Sequence, residues 1–124
     1  MFSRVYSAAI RGMEVKTVEV EVNCTRLESE DGSGQGPNMI LVGLPDAAIR
    51  ESRERIWGAL RNMHMPMPPY RATVNLAPAD LRKSGTAYDL PIALAMLVSM
   101  NQLEPGMLAD TLVIGELALN GHVR

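Results

Sequence analysis

Alternating apolar and polar positions in the first part of the chain predict β-strands. Val18, Val20, Val22 and Cys24 alternate with Glu or Asn residues, a period of two that is typical of a strand with one buried face and one wet face. Shorter apolar segments predict further strands at residues 4–10, 39–43, 71–77 and 112–119. The segment 39–43 is expected to form a short buried strand.

The apolar period changes to that of a helix after residue 45. Ile49, Ile56 and Leu60 fall on one side of a helix whose other side is charged, which predicts an amphipathic helix packed on a core. Pro45 and Asp46 suit its first turn, since proline lacks a donor that would be unpaired there and a carboxylate is favoured at the positive helix end.

A second, apolar helix is predicted to reach Met100 with Asp89 as its N-cap. Three prolines exclude a helix or a central strand at residues 64–70. Asn120 and Gly121 form a strong turn signal because both accept positive φ. Since so few residues follow that turn, we expect the 124 residues to be a single domain cut from a longer protein.

The segment 27–38 is acidic, rich in glycine and poor in apolar residues. Such a composition gives the chain little to bury, and it predicts a flexible surface loop.

Composition limits the classes of function. The chain has 12 Lys+Arg and 14 Asp+Glu, a formal charge of −2, which excludes an overall basic coat for nucleic acid but not a local patch. Its one cysteine excludes an internal disulfide and a cysteine-based zinc site. His64 and His122 have no carboxylate at ligand spacing, so no metal site is predicted. No apolar run approaches the roughly 20 residues of a membrane-spanning helix, and we expect a cytoplasmic protein without membrane contact.

Two loops carry candidate chemistry. The turn at residues 43–46 joins a strand to a helix and could bind an anion, but Pro45 removes a donor and Asp46 would repel a phosphate, so a plain helix entry is the better interpretation. The loop at residues 78–88 combines Arg82, Lys83 and Thr86. It could hold a nucleophile, an anion or a nucleic-acid phosphate, or simply cap the following helix.

Five blocks of sequence carry a family resemblance: SRVYSA at 3–8, VGLPDAA at 42–48, ESRER at 51–55, NLAPADLRK at 75–83 and YDLPIAL at 88–94. The chain resembles the N-terminal domain of magnesium-chelatase-like AAA+ ATPases, the YifB/ComM competence family of bacteria. This resemblance implies an α+β fold, the ribosomal protein S5 domain 2-like or Lon-protease-like fold, with helices packed on one face of a mixed sheet.

The resemblance also implies partners and cofactors. An ATPase module that binds ATP and Mg²⁺ would follow this domain, which itself holds no cofactor, and the subunits would assemble into a hexameric ring. The activity implied for the competence branch is the migration of DNA branches during recombination in natural transformation. DNA contacts are then predicted at the basic residues of the first helix and the 78–88 loop: Arg50, Arg53, Arg55, Arg61, Arg82 and Lys83.

Alignment with Lon proteases places Thr86 at the position of the nucleophile. The Lys that completes a Lon dyad would fall beyond Arg124, and Lys83 is too close to Thr86 along the loop to replace it. The resemblance therefore implies a non-catalytic accessory domain. Two alternatives stay open: a Ser/Thr–Lys peptidase that uses Thr86, and a magnesium chelatase subunit of pigment synthesis.

Overall fold

A computed structural model describes residues 1–27, 38–65 and 70–124 of the chain. The loop predicted at 27–38 lies outside the described residues except at its two ends, and so do residues 66–69. The described strands are β1 (Phe2–Arg11), β2 (Glu14–Arg26), β3 (Asn38–Val42) and β4 (Tyr70–Ala77). The described helices are α1 (Ala47–Arg50), α2 (Ser52–Asn62) and α3 (Asp89–Ser99), with a short 3-10 helix at Pro105–Leu108.

The four strands form one mixed sheet in the order β1-β2-β4-β3. β2 pairs antiparallel with both β1 and β4, and β3 pairs parallel with β4. The register aligns Val5 with Val20 and Val20 with Leu76, and all three side chains are buried. The alternation in the sequence therefore predicted the buried face of the sheet correctly, because every second residue of a strand points to the same side.

The helices cover one face of this sheet and enclose the core. α3 packs on β1 and β2, and α2 packs on α3. Ile49, Ile56 and Leu60 are buried as predicted, and burial of each such side chain contributes roughly 1.5–3 kcal/mol. An α+β fold with helices on one face of a mixed sheet is thus confirmed. Within the described ranges, no helix is both long and apolar enough to cross a membrane.

Two strand predictions need correction. β3 is the last strand of the sheet, and Ile40 and Val42 on its outer face are each 45% exposed, so it is not buried on both faces. Residues 112–119 form no strand and contribute only isolated bridges, one between Leu112 and Tyr6 and one between Leu117 and Val123. Val113 and Leu117 are buried in the core, whereas Leu112, Ile114 and Leu119 are exposed. The segment therefore contributes to the core without a continuous strand partner.

The predicted turn near the end of the chain is confirmed. Gly121 has a φ of +92°, a value that glycine adopts without steric cost. The amide of Ala118 donates to the carbonyl of His122 at 2.9 Å, and the amide of Arg124 donates to Glu116 at 2.8 Å. The few residues after the turn are thus sufficient to pair back on the segment before it.

Candidate functional site

Lys83 lies at the centre of the loop that follows β4. Its amide donates to Leu44 at 3.1 Å, and its carbonyl accepts from the amide of Asp46, so the loop pairs with the turn after β3. Its Nζ donates to the carbonyl of Gly43 at 2.8 Å and also to that of Pro78. The residue is fully buried, and this desolvation lowers the pKa of the ammonium group.

This burial corrects the predicted role of Lys83 as a DNA contact. A phosphate on the surface cannot reach an ammonium group that the chain encloses and that donates to two backbone carbonyls. Lys83 instead holds two loops together. No feature of the sequence distinguishes it from its exposed neighbour Arg82, because its environment comes from residues about forty positions away.

The turn between β3 and α1 is a helix entry and not an anion site, as its sequence predicted. Asp46 accepts from the amide of Ile49 at 2.9 Å and from the amide of Gly85 at 3.2 Å. The carboxylate thus occupies amide groups that a bound anion would need, and its charge opposes one. This turn therefore does not fit the phosphates of a nucleotide.

Arg55 and Asp89 form a largely buried ion pair between α2 and α3. The guanidinium donates to the carboxylate at 2.6 Å from Nε and at 3.0 Å from Nη2, so the ion pair is bidentate. Nη2 also donates to the carbonyl of Ala48 at 3.0 Å. The Arg55 side chain is 18% exposed, and its hydrogen bond to Asp89 raises the pKa of its guanidinium above the usual range.

This pair changes the assignment of both residues. Asp89 is not the N-cap of α3, because Tyr88 occupies that position without a capping side chain. Asp89 also accepts from the amide of Leu117 at 3.1 Å, so it connects three segments. Arg55 keeps little charge available for an external phosphate. The sequence shows both residues, but it gives no signal that residues 34 positions apart are paired.

Four of the six basic residues predicted to contact DNA remain on the surface, and we call them the arginine face: Arg50, Arg53, Arg61 and Arg82. Among the residues that the structure describes, none of these four has a carboxylate within 4.0 Å. Arg50 and Arg82 line one depression of about 300 Å³ together with Leu44, Pro45 and Asp46. The helical period brings the other two to the side of α1 and α2 on which Arg50 lies.

Thr86 lies in the same loop as Lys83, half-buried just before α3. Its carbonyl accepts from the amide of Asp89 at 3.3 Å. Both hydrogen bonds of the Lys83 ammonium go to carbonyl oxygens. A threonine needs a neighbouring base to act as a nucleophile, and Lys83 is engaged elsewhere.

The metal chemistry of the described residues is limited. In residues 1–27, 38–65 and 70–124, no three His, Cys, Asp or Glu side chains come together as a candidate metal site. His64 and His122 are both exposed.

Comparisons with known proteins complete the description. A family model described as subunit ChlI of Mg-chelatase matches residues 28–124. The competence protein ComM of Haemophilus influenzae is 40% identical over 120 residues, which is 97% of this chain. The uncharacterised protein YifB of Escherichia coli is 38% identical over 98% of the chain, and an uncharacterised protein of Mycobacterium tuberculosis is 41% identical over 98%. The chain spans 22% of the length of each of these relatives.

Proposed function

This chain belongs to the family of subunit ChlI of Mg-chelatase, and from that premise we propose that it is the non-catalytic N-terminal accessory domain of a ComM-like AAA+ ATPase in the cytoplasm. Its role is to help assemble the ATPase ring and to hold DNA during recombination in natural transformation. In this proposal ATP and Mg²⁺ bind an ATPase module outside these 124 residues. The turn at Asp46 is consistent with this, since its carboxylate accepts from the amides of Ile49 and Gly85.

The arginine face is the observation that carries the DNA part of this proposal. Its four guanidinium groups lack a carboxylate partner among the described residues, although the chain as a whole is slightly acidic. Guanidinium groups bind phosphates through paired N–H donors. Arg50 and Arg82 flank the depression that holds the Asp46 carboxylate, so the DNA backbone is proposed to pass along its rim, where each arginine contacts a separate phosphate.

Two observations support a non-catalytic role in the competence branch. The Lys83 ammonium donates to the carbonyls of Gly43 and Pro78, so it does not serve as a general base for the hydroxyl of Thr86. A relative of 40% identity over nearly the whole chain is called a competence protein, which favours DNA handling over pigment synthesis.

The DNA proposal is tested by reversing the charge at the depression. We expect Arg50→Glu combined with Arg82→Glu to weaken binding of the full-length protein to a fluorescent forked DNA duplex. Each phosphate contact contributes roughly 0.9 to the slope of log affinity against log salt. Loss of two contacts should therefore reduce that slope by about 2, as measured by anisotropy across a NaCl series.

A matched control applies the same change of charge elsewhere. Arg26→Glu combined with Arg71→Glu alters two exposed arginines at the opposite end of the sheet, and it should leave the slope within about 0.5 of the wild-type value. The oligomeric state of each variant with ATP is measured by light scattering, so that a loss of ring assembly is not mistaken for a loss of contact. An unchanged slope in the Arg50/Arg82 variant with an intact oligomer would refute the DNA proposal.

A further inference from the structure

The outer edge of β1 is only partly covered by the chain. The amide of Val113 donates to the carbonyl of Tyr6 at 2.8 Å, and the hydroxyl of Tyr88 donates to the carbonyl of Ala8 at 3.2 Å. Because alternate residues of a strand direct their backbone groups to the same edge, those of Ile10 point outward as well. Among the described residues, no hydrogen bond to this edge reaches Ile10.

The covering segment turns away before it reaches that position. Gly115 donates to the carbonyl of Ala87 at 2.8 Å, and its own carbonyl accepts from the amide of Leu90 at 2.9 Å. These bonds draw the chain toward the start of α3. Beyond the carbonyl of Ala8, which Tyr88 occupies, the edge of β1 at Ile10 is thus left as a template for an added strand.

A groove of about 530 Å³ lies beside this free edge. Its lining includes Ile10, Val15 and Ile114, whose side chains are 75%, 66% and 60% exposed, together with Ala87 and Tyr88. The groove thus offers apolar contacts beside the free strand edge, which is the arrangement that an added strand needs for its side chains.

Two arginines set the charge at one end of the groove. Arg11 and Arg82 both line it, and Arg11 donates to the carbonyl of Arg82 at 3.1 Å, which brings the two guanidinium-bearing segments together. In the part of the chain that the structure describes, neither has a carboxylate within 4.0 Å. The groove thus complements a ligand that is apolar along its length and acidic at one end.

We propose that this groove binds an extended segment of a partner protein, which adds as a strand to β1 between Ala8 and Arg11. Its backbone pairs with the free edge, its apolar side chains fill the groove, and an acidic residue meets Arg11 and Arg82. Strand addition of this kind derives affinity from backbone hydrogen bonds and specificity from side-chain pockets. The partner is a protein with an acidic, β-prone segment, a binding activity beyond the proposed role in DNA handling.

The probe is a fluorescein-labelled peptide, Glu-Glu-Val-Thr-Val-Ile-Val, mixed with the full-length protein and followed by anisotropy. We expect saturable binding that falls at least about tenfold in Ile114→Glu, which places a charge in the groove. Ile40→Glu is the matched control, since Ile40 is exposed on β3 outside the groove. Ile10→Pro removes an outward amide that the added strand would pair with, so it should also abolish binding. The fold itself should survive, because edge strands tolerate proline.

Other outcomes overturn the proposal. Equal binding by a peptide whose alternate amides are methylated would exclude strand addition. If the peptide does not bind and Ile114→Glu weakens DNA binding, the groove belongs to DNA. If the peptide does not bind and Ile114→Glu weakens self-association, the groove belongs to a second copy of the chain. A variant that separates the two activities combines Arg53→Glu with Arg61→Glu, since neither residue lines the groove. If that variant loses DNA but keeps the peptide, the two activities are separate, and failure of one leaves the other standing.

Discussion

Replacement of Asp89 by alanine should destabilise the fold more than any surface change. The substitution leaves the Arg55 guanidinium largely buried without its partner and leaves the amide of Leu117 without an acceptor. Breaking a buried ion pair costs about 3–5 kcal/mol, because the remaining charge is left uncompensated. Since domains are stable by only about 5–15 kcal/mol, this is a large fraction of the total.

Urea denaturation followed by circular dichroism measures the effect. With a denaturant dependence of about 2 kcal/mol per molar, the unfolding midpoint should fall by roughly 2 M. A double-mutant cycle with Arg55→Met and Asp89→Leu isolates the pair, and we expect a coupling energy of about 2–3 kcal/mol. A loss below about 1 kcal/mol for Asp89→Ala, or additive effects in the cycle, would refute the assignment of Asp89 as the connection between three segments.

Gly43→Ala should cost about 2–4 kcal/mol, because the φ of +102° is strained for alanine and the new Cβ would meet the backbone of Leu76. Gly12→Ala, also at positive φ but in open space, should cost only about 1 kcal/mol, and equal losses in the two variants would contradict this. Burial raises the pKa of the Cys24 thiol, so its contribution to stability is complete below the usual thiol pKa of about 8.5 and is lost as pH rises toward the folded value. The difference in unfolding free energy between wild type and Cys24→Ala should shrink from about pH 7.5 to pH 10, whereas a constant difference would show that the thiol stays unshifted.

The sequence predicted those parts of the fold in which local pattern and burial coincide. Val18, Val20 and Val22 lie on the buried face because the strand that contains them has one wet side. The same reasoning was wrong for residues 112–119, since apolar content reports burial but not the presence of a neighbouring strand. It was incomplete for β3, where Ile40 points to the face of the sheet that the helices do not cover and is therefore exposed.

The candidate site was less predictable because it depends on contacts between distant segments. The arginine face could be proposed from charge and helical period alone. The burial of Lys83 by Gly43 and Pro78, and the pairing of Arg55 with Asp89, arise from loops that meet only in the folded chain. A count of basic residues therefore overestimates the available positive charge by those two side chains.

The strand order β1-β2-β4-β3 has a consequence for how the molecule folds. β1 and β2 are joined by a tight turn at Gly12 and can pair through local contacts alone. β2 pairs next with β4, where Arg26 lies opposite Tyr70, so that ladder closes a loop whose sequence contains β3, α1 and α2. Closing so long a loop costs entropy before its contacts are gained. The β1–β2 hairpin is therefore expected to form early. Its strand edges, including the free edge of β1, stay exposed to solvent while the rest of the sheet assembles.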